Sequence, residues 1–265
     1  MTPTGTPAGL ARFADLVRSD PVPLGAGALA VAAYLGHAAH PARELRRLDD
    51  LAADVAGTGL GAVTHHLFTT VGLRGDQASY YDPANSMLTS VLDRRRGIPI
   101  TLAVLTVDVA RRLGISATVV GMPGHVLVGD GDPPGRWIDA FHGGQWLDAL
   151  GARARFATIH GRHAPFDPRF LQVTPDAQVL GRLLANLVTI YRGLGDAQRL
   201  LRVHELRAAI PGLAERERTD LAGALASVGR YREAADLWEL EAGERSGDEA
   251  DAAAVVVRAL RANLN

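Results

Sequence analysis

The chain of 265 residues has no cysteine and no lysine; all 28 of its basic residues are arginine. The first absence excludes a disulfide framework, a thiolate metal site and thiol catalysis. The second excludes Schiff-base chemistry and any phosphate loop that depends on its lysine. With abundant Ala and Gly, the arginine-only usage reads as genome base composition. The formal net charge is −1, so no basic field is available to drive nucleic-acid binding. No apolar run comfortably spans a bilayer. The longest, residues 23–39, is rich in Ala and Gly, and its Leu24, Ala28, Leu29, Ala32 and Leu35 fit a buried helix. Asp15 and Asp20 precede it, which argues against a signal peptide. A soluble, cytoplasmic protein is expected, with no membrane or nucleic-acid partner and no cofactor.

Hydrophobic residues make up 47% of the chain, enough to bury a sizeable core. Residues 1–8 are polar and are predicted to be disordered. Helical spacing follows over about 9–19, 24–38, 42–56 and 60–72. A polar loop covers 72–86, and Asn85 or Ser86 caps a short helix through Leu92. Pro99 suits a first helical turn, and the apolar run over 100–113 predicts a buried central helix ended by Gly114. Asp108 and Arg112 form an i,i+4 pair on its one polar edge. From 115 the period becomes two. ISATVVGM, HVLVG and RWIDAF read as strands, GDGDPPG as a hairpin turn, and FHGGQWLDA as a further turn. Residues 155–175 read as loop and short elements.

From 176 onward the pattern is all helical, with an internal offset of 34 residues. It aligns Gly195-Asp196 with Gly229-Arg230, Leu187 with Leu221, Leu206 with Leu240, and Tyr191 with Leu225. The stretch Gly229-Arg230-Tyr231-Arg232-Glu233-Ala234 fits a tetratricopeptide repeat, and residues 248–262 read as a capping helix. The expected organisation is an α+β domain over 9–175 followed by an all-α helical array over 176–265.

The chemistry-bearing residues are His125, after Pro123-Gly124, and Asp139 on the returning strand. A helix start, a strand His and a strand Asp follow the order of parts in papain-like and transglutaminase-like thiol enzymes. Across a hairpin the two are nearly opposite, roughly 5 Å apart at Cβ. The carboxylate then holds His Nδ1, unless the register slips by one and turns one side chain away. The pair is either a functional dyad or a buried polar contact that holds the hairpin together.

The motifs GLRGD, YYDPANSMLTSVLDRRRGIPITLAVLTVDVARRLGI, GMPGHVLV and IDAFHGG resemble the transglutaminase-like core of the SirB family. The helices over 24–70 and the repeat tail are similar too, so the resemblance covers nearly the whole chain after residue 20. It implies a protease-like α+β fold followed by tetratricopeptide-type helices, in a bacterial cytoplasmic protein. In active relatives of the wider superfamily the nucleophile sits in a G-x-C-x-x-x-A helix start. Laid onto this chain, Gly97, Ala103 and Gly114-Ile115 each put the cysteine position at Pro99, which has no nucleophilic atom. The His and Asp positions fall on His125 and Asp139. Val126 stands for the family's Phe after His, and Ala140 for its Pro after Asp.

Other candidate residues also fit ordinary structural roles. Thr101 is the nearest hydroxyl, but two helical positions turn it roughly 200° from residue 99, and bonding within the first turn suits it. His125, Asp139 and His142 offer N, O and N ligands to a metal without a recognised spacing. His160 and His163 lie in a Pro-rich segment, and His65 and His66 point about 100° apart on a helix. Arg94-Arg95-Arg96 reads as solvated or ion-paired, with an anionic partner as the alternative. Tyr80-Tyr81-Asp82-Pro83 is a candidate pocket wall. The expected binding residues are Pro99, Gly124, Phe141, His142, Tyr81 and Asn85. Two functions compete: a pseudoenzyme binding a protein or peptide partner, and a slow or metal-assisted amide or ester hydrolase using His125 oriented by Asp139.

Overall fold

Five helices, α1 (Pro7–Arg18), α2 (Leu24–Tyr34), α3 (Pro41–Ala53), α4 (Gly59–His65) and α5 (Leu88–Arg94), precede a sixth, α6 (Pro99–Arg112), which is buried from Pro99 to Ala110. The computed structural model describes residues 6–37, 40–244 and 246–264. Of the polar N-terminus, residues 1–5 lie outside the described residues, and helix begins at Pro7, capped by Thr6. Helix α1 packs on α2, while α2 to α5 pack around α6. Pro99 takes the first helical position, where its missing N–H leaves nothing unsatisfied. The Oγ1 of Thr101 accepts from Ile98 N at 3.1 Å, closing the turn that the apolar Ile98 cannot cap. The polar edge of α6 is Asp108, which accepts from Arg112 Nε at 2.7 Å and from Gly25 N at 2.9 Å. A Cβ on Gly25 would stand 2.5 Å from that carboxylate, so α2 approaches α6 this closely only through glycine.

Two short strands, β1 (Arg74–Gly75) and β2 (Arg96–Gly97), pair in parallel. The main sheet is antiparallel, in the order β3 (Ala117–Val120), β4 (Leu127–Gly131), β5 (Pro134–Asp139) and β6 (Gln145–Leu147). Alternation divides its side chains between two cores. Val119, Val128 and Ile138 join the core of α6, while Val120, Leu127, Trp137 and Leu147 form a second cluster with Ala152.

The structure departs from the sequence pattern in two places. The strand expected from His125 begins at Leu127, because Pro123-Gly124 turn and His125 N bonds Met122 O at 3.0 Å. Part of the segment read as loop over 155–175 is helix: α7 (Ala149–His160) starts at Asp148, whose side chain accepts from Gly151 N at 2.7 Å. Only Ala152 and Phe156 of α7 are buried, so it carries no apolar stripe to announce it.

The remaining helices, α8 (Asp176–Leu194), α9 (Ala197–Ala208), α10 (Ala214–Ser227), α11 (Tyr231–Glu244) and α12 (Asp248–Ala262), each pack on the next. Gly195 and Gly229 both take left-handed backbone, at φ 67° and 81°, where a helix ends and the chain turns back. Helix α8 is not set apart: Val179, Leu180, Leu183, Leu184 and Leu187 belong to the same core as α6. Arg111 on α6 grips Asp176 with both terminal nitrogens, at 2.6 and 3.1 Å.

Candidate functional site

Asp139 ends β5 and is fully buried. A buried carboxylate must be compensated, and this one collects four contacts. Its Oδ1 accepts from His142 N at 3.2 Å and lies 3.0 Å from His125 Nε2. Its Oδ2 lies 2.9 Å from His142 Nδ1 and 2.8 Å from Arg155 Nε. The Arg155 contact is an ion pair without hydrogen-bond alignment. Burial pushes the Asp139 carboxyl up, but the hydrogen bonds and charges of His125 and His142 outweigh it and leave its pKa below the ordinary value.

An ionised carboxylate only accepts, so it fixes the protons of both rings. His125 carries hydrogen on Nε2 and His142 on Nδ1. In its neutral form His125 therefore keeps the lone pair on Nδ1, and His142 keeps it on Nε2, which Arg155 Nη1 approaches at 3.5 Å. The nitrogen expected to meet Asp139 was Nδ1. The register explains the difference. Val128 pairs with Ile138, which continues to Leu127 beside Asp139, so His125 stands two residues off and reaches the carboxylate with its far nitrogen. An offset of two keeps both side chains on one face.

A cleft of about 530 Å³ opens here, and His125 lines it with Pro99, Gly124, Phe141, His142 and Tyr81, all read from the sequence as site residues. Phe141 sets its wall, edge-on to Tyr80 at 6.1 Å, His125 at 6.2 Å and His142 at 5.3 Å between ring centroids. Tyr81 is 68% exposed and meets Tyr80 edge-on at 5.3 Å. Arg155, Thr158 and Ile159 of α7 form a wall that the sequence reading missed. The available signal was the Asp148 cap ahead of helix-forming Ala and Arg residues. Gly124 has φ 71°, and a Cβ there would come within 2.9 Å of His160 and Ile159, so glycine is needed where α7 closes on the loop. Arg182 on α8 holds the same loop, donating to Gly121 O at 2.6 Å and Met122 O at 3.1 Å, and burial lowers its pKa.

Two candidates lie outside the cleft. Asn85 is fully buried; its Nδ2 donates to Ser79 O at 2.7 Å and Asp76 Oδ2 at 3.2 Å, which organises the loop before α5. Thr101 is also fully buried and donates to Asn85 O at 2.8 Å, so its hydroxyl belongs to the helix start.

His125, Asp139 and His142 converge as metal ligands must, with donor atoms within 4.8 Å of one another. The charge balance opposes such an ion, because the Arg155 guanidinium already stands 2.8 Å from the shared Oδ2. A second convergent group, His204, Glu217 and Asp220, has the same drawback, since Arg207 pairs with Glu217.

Residues 30–185 match the model of a family described as the transglutaminase-like superfamily. The chain belongs to that superfamily. It is 42% identical over 136 residues to a UPF0162 protein of Xylella fastidiosa (strain Temecula1), covering 50% of this chain and 48% of that one. A UPF0162 protein of Pseudomonas aeruginosa is 27% identical over 223 residues, 74% of this chain and 80% of its own length. F-box only protein 21 of Mus musculus is 27% identical over 157 residues, 54% of this chain and 24% of that protein. The chain thus spans about half the length of the first of these relatives. This transglutaminase-like chain keeps a histidine on a buried aspartate in an open cleft and has no cysteine anywhere. Among the described residues no helix is long and apolar enough to cross a membrane.

Proposed function

We propose that this transglutaminase-like protein is a non-catalytic binding module, a pseudoenzyme of SirB type, whose cleft holds a segment of a protein or peptide partner in a regulatory role. The observation that carries the reading is Pro99. It lines the cleft at the position where the family resemblance puts the nucleophile, and it supplies no reacting atom. What remains there suits recognition. Phe141, Tyr80 and Tyr81 offer rigid aromatic surface, and His125 Nδ1 offers one acceptor to an N–H or O–H of the ligand. Helices α8 to α12 are read as a tetratricopeptide-type array over 176–265 that adds a second surface, supported by the left-handed glycines at the 34-residue offset. The reading places the protein in a bacterial cytoplasm.

Selection of peptides from a displayed library on the purified chain tests this. Enriched peptides sharing a motif and lost with Phe141→Ala are the expected result. No enrichment, or enrichment unchanged by Phe141→Ala, overturns it.

The tautomer of His125 favours one alternative, a slow hydrolase in which Nδ1 takes a proton from water. A positioned base supplies about 10²–10⁴-fold. Turnover of amide or ester probes that disappears with His125→Ala would establish it.

A further inference from the structure

A second cavity, of about 250 Å³, lies away from the cleft and is lined by Arg74, Arg94, Arg95 and Arg96 with Val71 and Gly72. The arginine run is continuous in sequence only over 94–96. The fourth guanidinium arrives from 22 residues upstream through the parallel pairing of β1 with β2, which sets Arg74 beside Arg96. Arg94 is compensated, at 2.9 Å from Asp82 and 3.5 Å from Asp76. The side chains of Arg74, Arg95 and Arg96 make no hydrogen bond and no ion pair within 4 Å among the described residues; the Asp76 carboxyl, held below its ordinary pKa first by the Ser79 N–H and then by Asn85, also feels the charges of Arg96 and Arg94. Asp93 is engaged elsewhere, at 2.8 Å from Arg47. Four guanidiniums against two carboxylates leave about two positive charges uncompensated around one small cavity, in a chain whose formal net charge is −1.

Like charges gathered without counter-charge repel one another, and all four arginines lie at the surface, open to an anionic ligand. Arg95 is the one described residue other than glycine with positive φ, at 57°. That conformation is unfavourable for a side chain with a Cβ, and the structure pays for it where the chain turns from α5 into β2. We propose that these arginines form a binding site for a diphosphate group. Guanidiniums present paired N–H donors that match phosphate oxygens, and several around one cavity favour a multiply charged anion over a single carboxylate. At roughly 30 Å³ per water, the space equals about eight waters. That admits a diphosphate with part of its hydration shell, and four arginines are too few for the basic stripe a nucleic-acid strand needs. The proposal stands apart from the reading of the cleft, since no lining residue is shared.

Titration calorimetry of the full chain at low salt tests it, with pyrophosphate, orthophosphate and ADP as probes. Pyrophosphate is expected to bind more tightly than orthophosphate and to weaken as salt screens the charges. Arg74→Ala and Arg96→Ala should each weaken it about tenfold or more, a change of about 1.4 kcal/mol per tenfold. Arg136→Ala, on β5, should leave it unchanged. ADP binding like pyrophosphate identifies the free diphosphate as sufficient; tighter ADP binding that still needs Arg74 and Arg96 identifies a nucleotide source. The double variant Arg74→Lys and Arg96→Lys keeps the charge but loses the paired donors, so it serves if the alanine variants unfold; it too should weaken binding. No heat or saturation with any probe up to about 5 mM, well beyond a millimolar Kd, overturns the proposal. So does binding that Arg74→Ala, Arg96→Ala and the double lysine variant all leave unchanged.

Discussion

Replacing Asp139 by Asn removes a charge and almost no volume, and it tests the electrostatic logic of the site. In the native protein Oδ1 and Oδ2 face two ring nitrogens, one backbone N–H and the Arg155 guanidinium. An Asn side chain would turn an NH₂ toward partners that are themselves donors, and would leave Arg155 without its counter-charge. Removing one member of a buried ion pair costs about 3–5 kcal/mol. The Arg155 side chain keeps 20% of its exposure, so the lower end, about 3 kcal/mol, applies. At about 2–4 °C per kcal/mol for a chain of this size, Tm should fall by about 6–12 °C. Urea and thermal unfolding of Asp139→Asn, Arg155→Met and the double variant measure it. The loss should shrink in the Arg155→Met background, where no cation is stranded. The pH dependence has a definite sign. The folded pKa of Asp139 lies below its ordinary value of 3.8, so its contribution is present above about that pH and is lost as pH falls through the depressed folded value. The deficit of Asp139→Asn should therefore be constant at neutral pH and close only in acid. A loss under about 0.5 kcal/mol, or one equal in both backgrounds, would mean that Arg155 is not the counter-charge of Asp139.

Pro99→Cys would introduce a thiol into the cleft lined by His125, and its alkylation rate should show a pKa below about 7.5. In Pro99→Cys/His125→Ala that advantage should vanish; an ordinary thiol profile in both refutes the placement. Gly124→Ala should cost about 1–3 kcal/mol in urea unfolding, from φ 71° and the 2.9 Å approach to His160 and Ile159. A neutral effect would mean that α7 does not close on the loop. Burial raises the Glu217 carboxyl, but the hydrogen bonds of His204 and Arg207 bring it down to about 2. Its stabilisation is thus present above about pH 4.5 and lost as pH falls toward 2, so wild-type Tm should drop across that range more steeply than that of Glu217→Gln.

The parts of the fold that carry a strong local signal are legible from residues alone. Gly97-Ile98-Pro99 ahead of a mostly apolar run announces the helix start of α6, and Gly131-Asp132-Pro133 between period-two segments announces the hairpin. The grouping of the candidate site is legible where chemistry and spacing coincide, since the structure brings His125, Asp139, His142 and Phe141 together. It was not legible where position depends on tertiary packing. Helix α7 has no apolar stripe, so Arg155, the counter-charge of Asp139, was invisible. Strands β1 and β2 are two residues each and pair over a long separation, which no local period records. Asn85 illustrates the reverse error: a polar residue beside a plausible pocket wall whose side chain turns inward to hold its own loop. The nitrogen that His125 offers to Asp139 depended on an offset of two residues, finer than a hairpin pattern resolves.

The cleft beside Pro99 is proposed to bind without reacting. The measurement that tests it most directly is mass spectrometry of a display-selected peptide after prolonged incubation with stoichiometric protein. The intact peptide should be recovered, bound by the wild type and released by Phe141→Ala. Fragments or acyl transfer products that vanish with His125→Ala would contradict it.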